Sequence, residues 1–366
     1  QEGILINTDL KRFNFRNNLN GRSNDGKFSY GSNVTINYSQ RHEADLRAGA
    51  INQNYIIGAF SAAPYIDQAL YTGSQDLFDL YSADGTLLYT PLMLMDKAKT
   101  FTNRVEELKM IGSVTGSYNI TDDLMIGANL GIDYTQATGS VFQDPISFNS
   151  FVQRQTGQEF TGYADQTFSR DFNLNSNVQL TYTKTFAEDH TIEASAFTEY
   201  YKAHFQSFNF RQEGLDPKTS SLGDGSGYIN FDGTPFYVPT VGATKASAGL
   251  FSYFGSLDYD YKSTFGFGAT IRRDASYRFV ADNRWGTFWS VSGRWNIDSA
   301  EFMKGSTFNA LKLRASYGTA GNQNILGQSI YNLPNATREL YAAGTGYANL
   351  PSYVVAQLAN RDLKWE

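Results

Sequence analysis

Residues 27–39 read KFSYGSNVTINYS, with Phe28, Tyr30, Val34, Ile36 and Tyr38 at even positions and polar residues or glycine at odd ones. Successive side chains of a strand point to opposite faces, so this spacing predicts a strand with one apolar and one polar face. The pattern returns from Phe172 to Tyr182, where Phe172, Leu174, Val178, Leu180 and Tyr182 alternate with Asn173, Asn175, Asn177, Gln179 and Thr181. Similar stretches run near 11–20, 106–120, 124–135, 190–205, 249–262, 264–273, 287–298 and 310–318. That gives about ten strands, most of them longer than the five or six residues usual in soluble sheets.

The charges decide what covers the apolar faces. No Asp, Glu, Lys or Arg stands on the apolar phase over 108–120, 124–134, 172–182, 192–200, 251–261, 265–271, 289–297 or 311–317. The opposite phase carries Lys109, Asp133, Glu193, Glu199, Asp258, Asp260, Arg272, Arg294, Lys312 and Arg314. A soluble sheet would need a second layer against its apolar face, and few helical patterns exist to supply one. A bilayer is such a cover, and a Lys or Arg at its mid-depth costs roughly 2–4 kcal/mol, which accounts for the empty column. About ten residues at roughly 3.3 Å each, tilted near 40°, span the roughly 25 Å apolar band. The sequence therefore predicts an all-β protein: a transmembrane, antiparallel, up-and-down β-barrel.

Composition excludes several other classes. The chain has no cysteine, so disulfide scaffolds, thiolate metal sites and thiol nucleophiles are out, and its three histidines do not suggest a metal centre. Lys and Arg number 30 against 36 Asp and Glu, for a net charge of −6, so no basic excess exists to meet nucleic acid. No run approaches the 18 apolar residues of a membrane-spanning helix. His190 and His204 have no serine elbow nearby, so no catalytic residue, no enzyme activity and no cofactor are expected. GDGSGYINFDG (223–233) lacks both the Ca²⁺ ligand ladder and the Gly-Lys-Ser/Thr of a phosphate loop, and reads as a loop tip.

Links between strands alternate in length. Short ones fall near 21–26, 121–123, 187–189, 262–263 and 299–309; long ones cover about 40–104, 136–168, 207–248, 274–286 and 319 onward. Outer-membrane barrels have short periplasmic turns and long extracellular loops. On that assignment Phe28, Tyr118, Tyr182, Phe265 and Trp295 form a periplasmic aromatic girdle, and Tyr38, Tyr134, Phe172, Tyr200 and Trp289 the outer one. Both ends of the chain then fall outside the cell. Since an open sheet leaves unpaired edges in lipid, the expectation is an internal piece of a larger barrel domain. The segment YIIGAFSAAPYIDQAL (55–70) is the one stretch with helical character and is expected as a loop helix at the barrel mouth.

Two motifs carry a family resemblance. RRDASYRFVADNRWGTFWSVSGRWNIDSAEFM (272–303) resembles the R-x-D-G-S-S-x-F-G-x-N-x-R-W-G-x-F-P-S-x-S-x-x-W signature of SusC/RagA-like TonB-linked outer-membrane transporters. LKLRASYGTAGNQNI (311–325) is similar to that family's L-K-L-R-x-S-Y-G-x-x-G-N-Q segment, and NRDLKWE (360–366) to the start of its next strand. The chain departs at Ala275 and Tyr277, where Gly and Ser are usual, and at Trp289, where Pro is common. The resemblance implies a 22-stranded barrel of which these are about ten strands, a plug domain and remaining strands outside this sequence, and energy from the TonB complex. It also implies a SusD-like surface lipoprotein as partner and a glycan or peptide as cargo.

Candidate binding residues lie in the long loops: Tyr228, Phe231, Phe236 and Tyr237 with Asp224, Asn230 and Asp232, and Trp285 with Asn283 and Arg284. Aromatic faces stack on sugar rings while Asp, Asn and Arg bond hydroxyls; loop packing or contact with a lid subunit is the alternative. The polar-phase charges Glu193, Glu199, Arg272, Arg294 and Arg314 are expected to face a lumen or plug. Two rivals from other classes stay open: a secreted β-rich carbohydrate-binding or adhesin protein, and a passive porin.

Overall fold

The computed structural model describes residues 2–45, 51–85, 87–220, 227–233, 235–323, 331 and 337–366. Ten strands run in chain order through one sheet: β1 (Asp9–Arg22), β2 (Phe28–His42), β3 (Phe101–Asn119), β4 (Leu124–Gln143), β5 (Tyr163–Phe186), β6 (His190–Glu213), β7 (Thr240–Tyr261), β8 (Phe265–Ser276), β9 (Trp285–Asn296) and β10 (Lys312–Gly318). Each pairs antiparallel with the next, with β1 and β10 as the edges. All ten expected strands are present.

Register carries one face across the whole sheet. Tyr38 sits opposite Leu108, Met110 opposite Tyr134, Tyr134 opposite Phe172, Leu180 opposite Ala196, Phe251 opposite Tyr200, Ala269 opposite Leu257 and Val291 opposite Ala269. A slip of one residue at any of these pairs would turn a strand's apolar set to the wrong side. Among the described residues no second layer covers that side: Leu180 is 42% and Val291 37% exposed, and Val34 is only half-buried. So large an apolar face left open is the signature of a lipid-facing surface.

The strands outrun the expectation at one end. β5 starts at Tyr163 rather than near 172, β6 continues to Glu213, and the loop expected over 274–286 shrinks to 277–284. Beyond the outer girdle the outward phase turns polar: Gln40 follows Tyr38, Gln136 follows Tyr134, Arg170 precedes Phe172, and Lys202 follows Tyr200. The period of two persists there, but without the empty charge column that lipid imposes.

At the other end the turns are tight. Lys262 and Ser263 both take positive φ (52° and 54°), the I′ geometry that matches the twist of flanking strands. The Lys262 ammonium meets Asp189 of the neighbouring turn at 3.1 Å, and Lys184 pairs with Asp123.

The long β2–β3 connection holds more helix than the sequence suggested. Of the helix expected over 55–70, only the first half is there as α1 (Tyr55–Ser61), whose cap Asn54 accepts from the amides of Ile56 and Ile57; the chain leaves the helix at Ala62 and makes one 3₁₀ turn at Gln68–Leu70. Beside it stand α2 (Ser74–Asp84), ended by the left-handed Gly85, and α3 (Thr90–Thr100), with Pro in its first turn. The β4–β5 connection adds α4 (Phe148–Val152). These helices bury Leu77, Leu92, Met93 and Phe148 together, a small separate core. After β10, β11 (Leu340–Thr345) and β12 (Pro351–Gln357) form an unforeseen hairpin. Residues 360–366 form no strand, but Glu366 exchanges backbone hydrogen bonds with Asn322 just past β10.

Candidate functional site

Alternation puts the five polar-phase charges on the inward face, and register decides which meet. Arg272 on β8 donates to Glu199 on β6 at 2.6 Å and to Asp274 at 2.7 Å. Its guanidinium also lies over Phe254, 4.6 Å from the ring centroid. Arg294 on β9 pairs with Asp260. Glu193 faces Asp258, and Arg314 faces Arg294, in like-charge cross-strand positions. Neither Glu193 nor Arg314 makes an ion pair among the described residues. Together with Thr191, Asp258, Asp260 and Arg294 they line a concavity near the tight-turn end.

One inward row escaped the reading of the sequence. Phe197, Phe254, Arg272 and Phe288 occupy directly opposed positions on β6, β7, β8 and β9. Phe197 and Phe254 stack at 4.4 Å, and Trp365 packs edge-on against Phe288 at 5.4 Å. Parity would have found it, because Phe197 shares the phase of Glu193 and Glu199.

Nearer the mouth, Asp171 accepts from Asn173 at 3.0 Å and from the Tyr331 hydroxyl, while Tyr201 donates to Asn173 at 2.9 Å. Burial, then the bond to Asp171, pushes the Tyr331 phenol above its ordinary pKa. Asp171 and Tyr201 are also inward by parity.

The loop aromatics divide. Tyr237 is buried; its hydroxyl accepts from the amides of Glu159 (3.2 Å) and Phe160 (3.0 Å), and its ring meets Phe160 and Phe236 edge-on. It ties the β6–β7 loop to the β4–β5 loop. Tyr228 packs edge-on to Phe210 in a bridge with Leu215, and burial raises its phenol pKa. Phe231, Asn230 and Asp232 are exposed, and Asp224 lies outside the described residues. Asn283 donates to the Arg361 carbonyl at 3.0 Å. Trp285 opens β9 on the outward phase, against Phe251, Tyr253 and the guanidinium of Arg273. Trp289 is outward too and packs edge-on to Tyr317 in the outer girdle. The candidate residues thus form no single pocket: some line the inward wall, some knit loops, and Trp285 sits at the outward rim. No group of three potential metal ligands occurs among the described residues.

No family model matches the chain. It is 30% identical over 267 residues to the TonB-dependent receptor SusC of Bacteroides thetaiotaomicron, an alignment covering 70% of this chain and 24% of that protein. A TonB-dependent receptor of Formosa agariphila is 26% identical over a 377-position alignment covering 100% of this chain and 34% of the relative. The chain thus spans about a quarter to a third of the length of these curated relatives. Among solved structures, the RagAB peptide transporter superposes with a TM-score of 0.74 at 19% identity, over 98% of this chain and 37% of that one. The same importer in its 'open-open' state gives 0.72. At that identity the likeness speaks for the fold.

Proposed function

Because the chain belongs to the SusC/RagA-like family of TonB-linked outer-membrane transporters, with its strands in the outer membrane, we propose that it forms part of the wall of an active importer for a bulky nutrient, an oligosaccharide or a peptide. The observation that carries this is the division of faces. Across ten registered strands the outward side is apolar and uncovered, while the inward side holds charges, amides and the Phe197–Phe254–Arg272–Phe288 row. Such a wall is oily to lipid and wet within, and its inner groups suit a plug and a passing polar solute.

In this reading the long loops and a SusD-like lipoprotein capture the ligand at the outer mouth. A plug domain, held by inward charges such as Glu199, Arg272, Arg294 and Arg314, closes the lumen until the TonB complex pulls it aside. No bond in the substrate is made or broken. Flat rings with adjacent Asp, Asn and Arg suit sugar faces and hydroxyls, and equally a peptide's backbone and side chains.

The test is uptake of labelled oligosaccharides and labelled peptides by cells carrying or lacking the gene, each with and without a working TonB. Uptake of one class that needs both genes is the expected result. Uptake that persists without TonB would mean a passive porin, and release of the protein from membranes without detergent would mean a secreted adhesin.

A further inference from the structure

Charge on the outward phase beyond the outer girdle is unevenly spread. On β1–β3 it is balanced: Arg104 pairs with Glu106, and His42 lies 2.9 Å from Asp9. On β5–β8 it is not. There the outward phase presents Arg170, Lys202, Lys245 and Arg273, and no Asp or Glu stands on that phase of those strands above the girdle. The acids of the same stretch all turn inward, where Arg211 takes Asp165 and Glu213, and Arg272 takes Glu199 and Asp274. Arg170, Lys245 and Arg273 are exposed and Lys202 half-buried, and none has a carboxylate partner among the described residues. Arg170 reaches only the Gln206 amide, at 3.1 Å.

A groove gathers part of this ledge. β8 stops pairing with β7 at Leu250, Gly249 keeps one bond from the Tyr277 amide, and Thr240–Ala248 pairs with β6 alone among the described strands, so a notch opens beside it. Lys202, Lys245, Arg284 and Arg338 line the notch with Tyr200, Phe251 and Trp285, and no acidic residue is among its walls. Tyr200 is an outer-girdle residue with Phe251 opposite it, and Lys202 stands one outward-phase step above Tyr200; Trp285 lies two such steps above Trp289 and Lys245 three above Phe251, so the notch climbs from the girdle into the headgroup layer.

We propose that this ledge binds the phosphate of an anionic lipid headgroup in the outer leaflet, with the lipid's acyl chains lying on the apolar wall below. Uncompensated cations rising from a girdle are complementary to a phosphate held at the surface by its own hydrocarbon. A freely diffusing anion would gain nothing from Tyr200, Phe251 and Trp285. The proposal rests on the outward face lying in lipid, as the family assignment has it.

The test uses the full-length receptor purified in dodecyl maltoside, with thermal unfolding followed as lipid A is added in mixed micelles. Lipid A raises the midpoint, whereas dephosphorylated lipid A and inorganic phosphate alone leave it in place. In the Lys202→Gln/Lys245→Gln/Arg273→Gln variant the half-saturating lipid A concentration rises on the order of a hundredfold, since each cation near an anionic surface contributes roughly fivefold. The inward Lys109→Gln variant keeps the wild-type response. An equal shift with dephosphorylated lipid A would reduce the ledge to apolar binding, and an equal shift with inorganic phosphate would make it a free-anion site. An unaltered response in the triple variant would also overturn the proposal. The lipid comparison needs no variant, so it decides the matter even if the triple variant fails to assemble.

Discussion

Leu180 and Gln179 are neighbours in the chain and stand on opposite sides of the wall, so the same substitution at each has different consequences. Leu180→Arg, on the outward face one step inside the periplasmic girdle residue Tyr182, should cost about 1–2 kcal/mol, less than the roughly 2–4 kcal/mol of the midplane. Gln179→Arg, pointing inward among amides and waters, should stay within about 0.5 kcal/mol. Urea unfolding of the folded, slowly migrating barrel reads both; equal losses would mean that the two faces see the same medium. The buried pair Lys97–Asp45 is a second sharp case, with N···O at 2.6 Å and side chains 0% and 4% exposed. Lys97→Met leaves a buried carboxylate without its cation and should loosen the helical loop unit by about 3–5 kcal/mol, while Lys97→Met/Asp45→Leu recovers much of that. Amide exchange in α3 is the measurement, and the strand amides should not change. Parity made the facing of Leu180, Glu199 and Arg272 legible from the sequence. Lys97–Asp45 was not legible, because a pair 52 positions apart in a long connection leaves no periodic trace.

Strands were legible as elements because lipid excludes charge from every second position, and where that exclusion stops the strand ends were misjudged. β5 and β6 continue for 24 residues each because backbone pairing needs no bilayer. Trp285, which the sequence put in a loop, therefore opens β9. The helices were half legible. α1 has an apolar run, whereas α2 and α3 mix Asp, Gln, Ser and Lys into weakly amphipathic turns whose apolar members meet only once folded. Their packing makes two predictions. Burial, then the charge of Asp96 and the hydrogen bond to it at 3.0 Å, raises the Tyr71 phenol to about 12 from 10. A pKa raised by folding means that the contact's stabilisation is complete below about pH 10 and is lost as pH climbs through about 12. A titration of phenolate absorbance in wild type minus Tyr71→Phe should show one tyrosine ionising near 12; a step near 10 would mean that the hydroxyl is free in water. Tyr237→Phe removes the acceptor for two amides and should cost about 1–3 kcal/mol locally. Faster exchange at Glu159 and Phe160, with the strands unaffected, is the expected readout.

At the scale of the whole molecule, ten strands share one apolar side that nothing among the described residues covers, and every other property of the wall follows from what does cover it. The absence of cysteine from these residues gives direct access to that question. Single cysteines placed along β5 from Asn177 to Tyr182, and at Val291 and Ser292 on β9, would sample both faces at known depth in a full-length background freed of other thiols. Positions 178, 180, 182 and 291 should resist a charged, water-borne maleimide in intact membranes and quench with a lipid-borne spin label. Positions 177, 179, 181 and 292 should do the reverse, subject only to shielding by a plug. The alternation should fade above the outer girdle: a cysteine at Arg170 or at Lys202 should react with the maleimide although both sit on the outward phase, because they stand among headgroups and water rather than in hydrocarbon. Labelling that ignores parity at mid-strand would be incompatible with a wall between hydrocarbon and water. Protection of both parities from the maleimide and the lipid-borne spin label alike would instead mean two stacked sheets, with Leu180 and Val291 inside a dry core. Only a one-sided apolar environment produces an alternation of labelling that begins at one girdle and ends at the other.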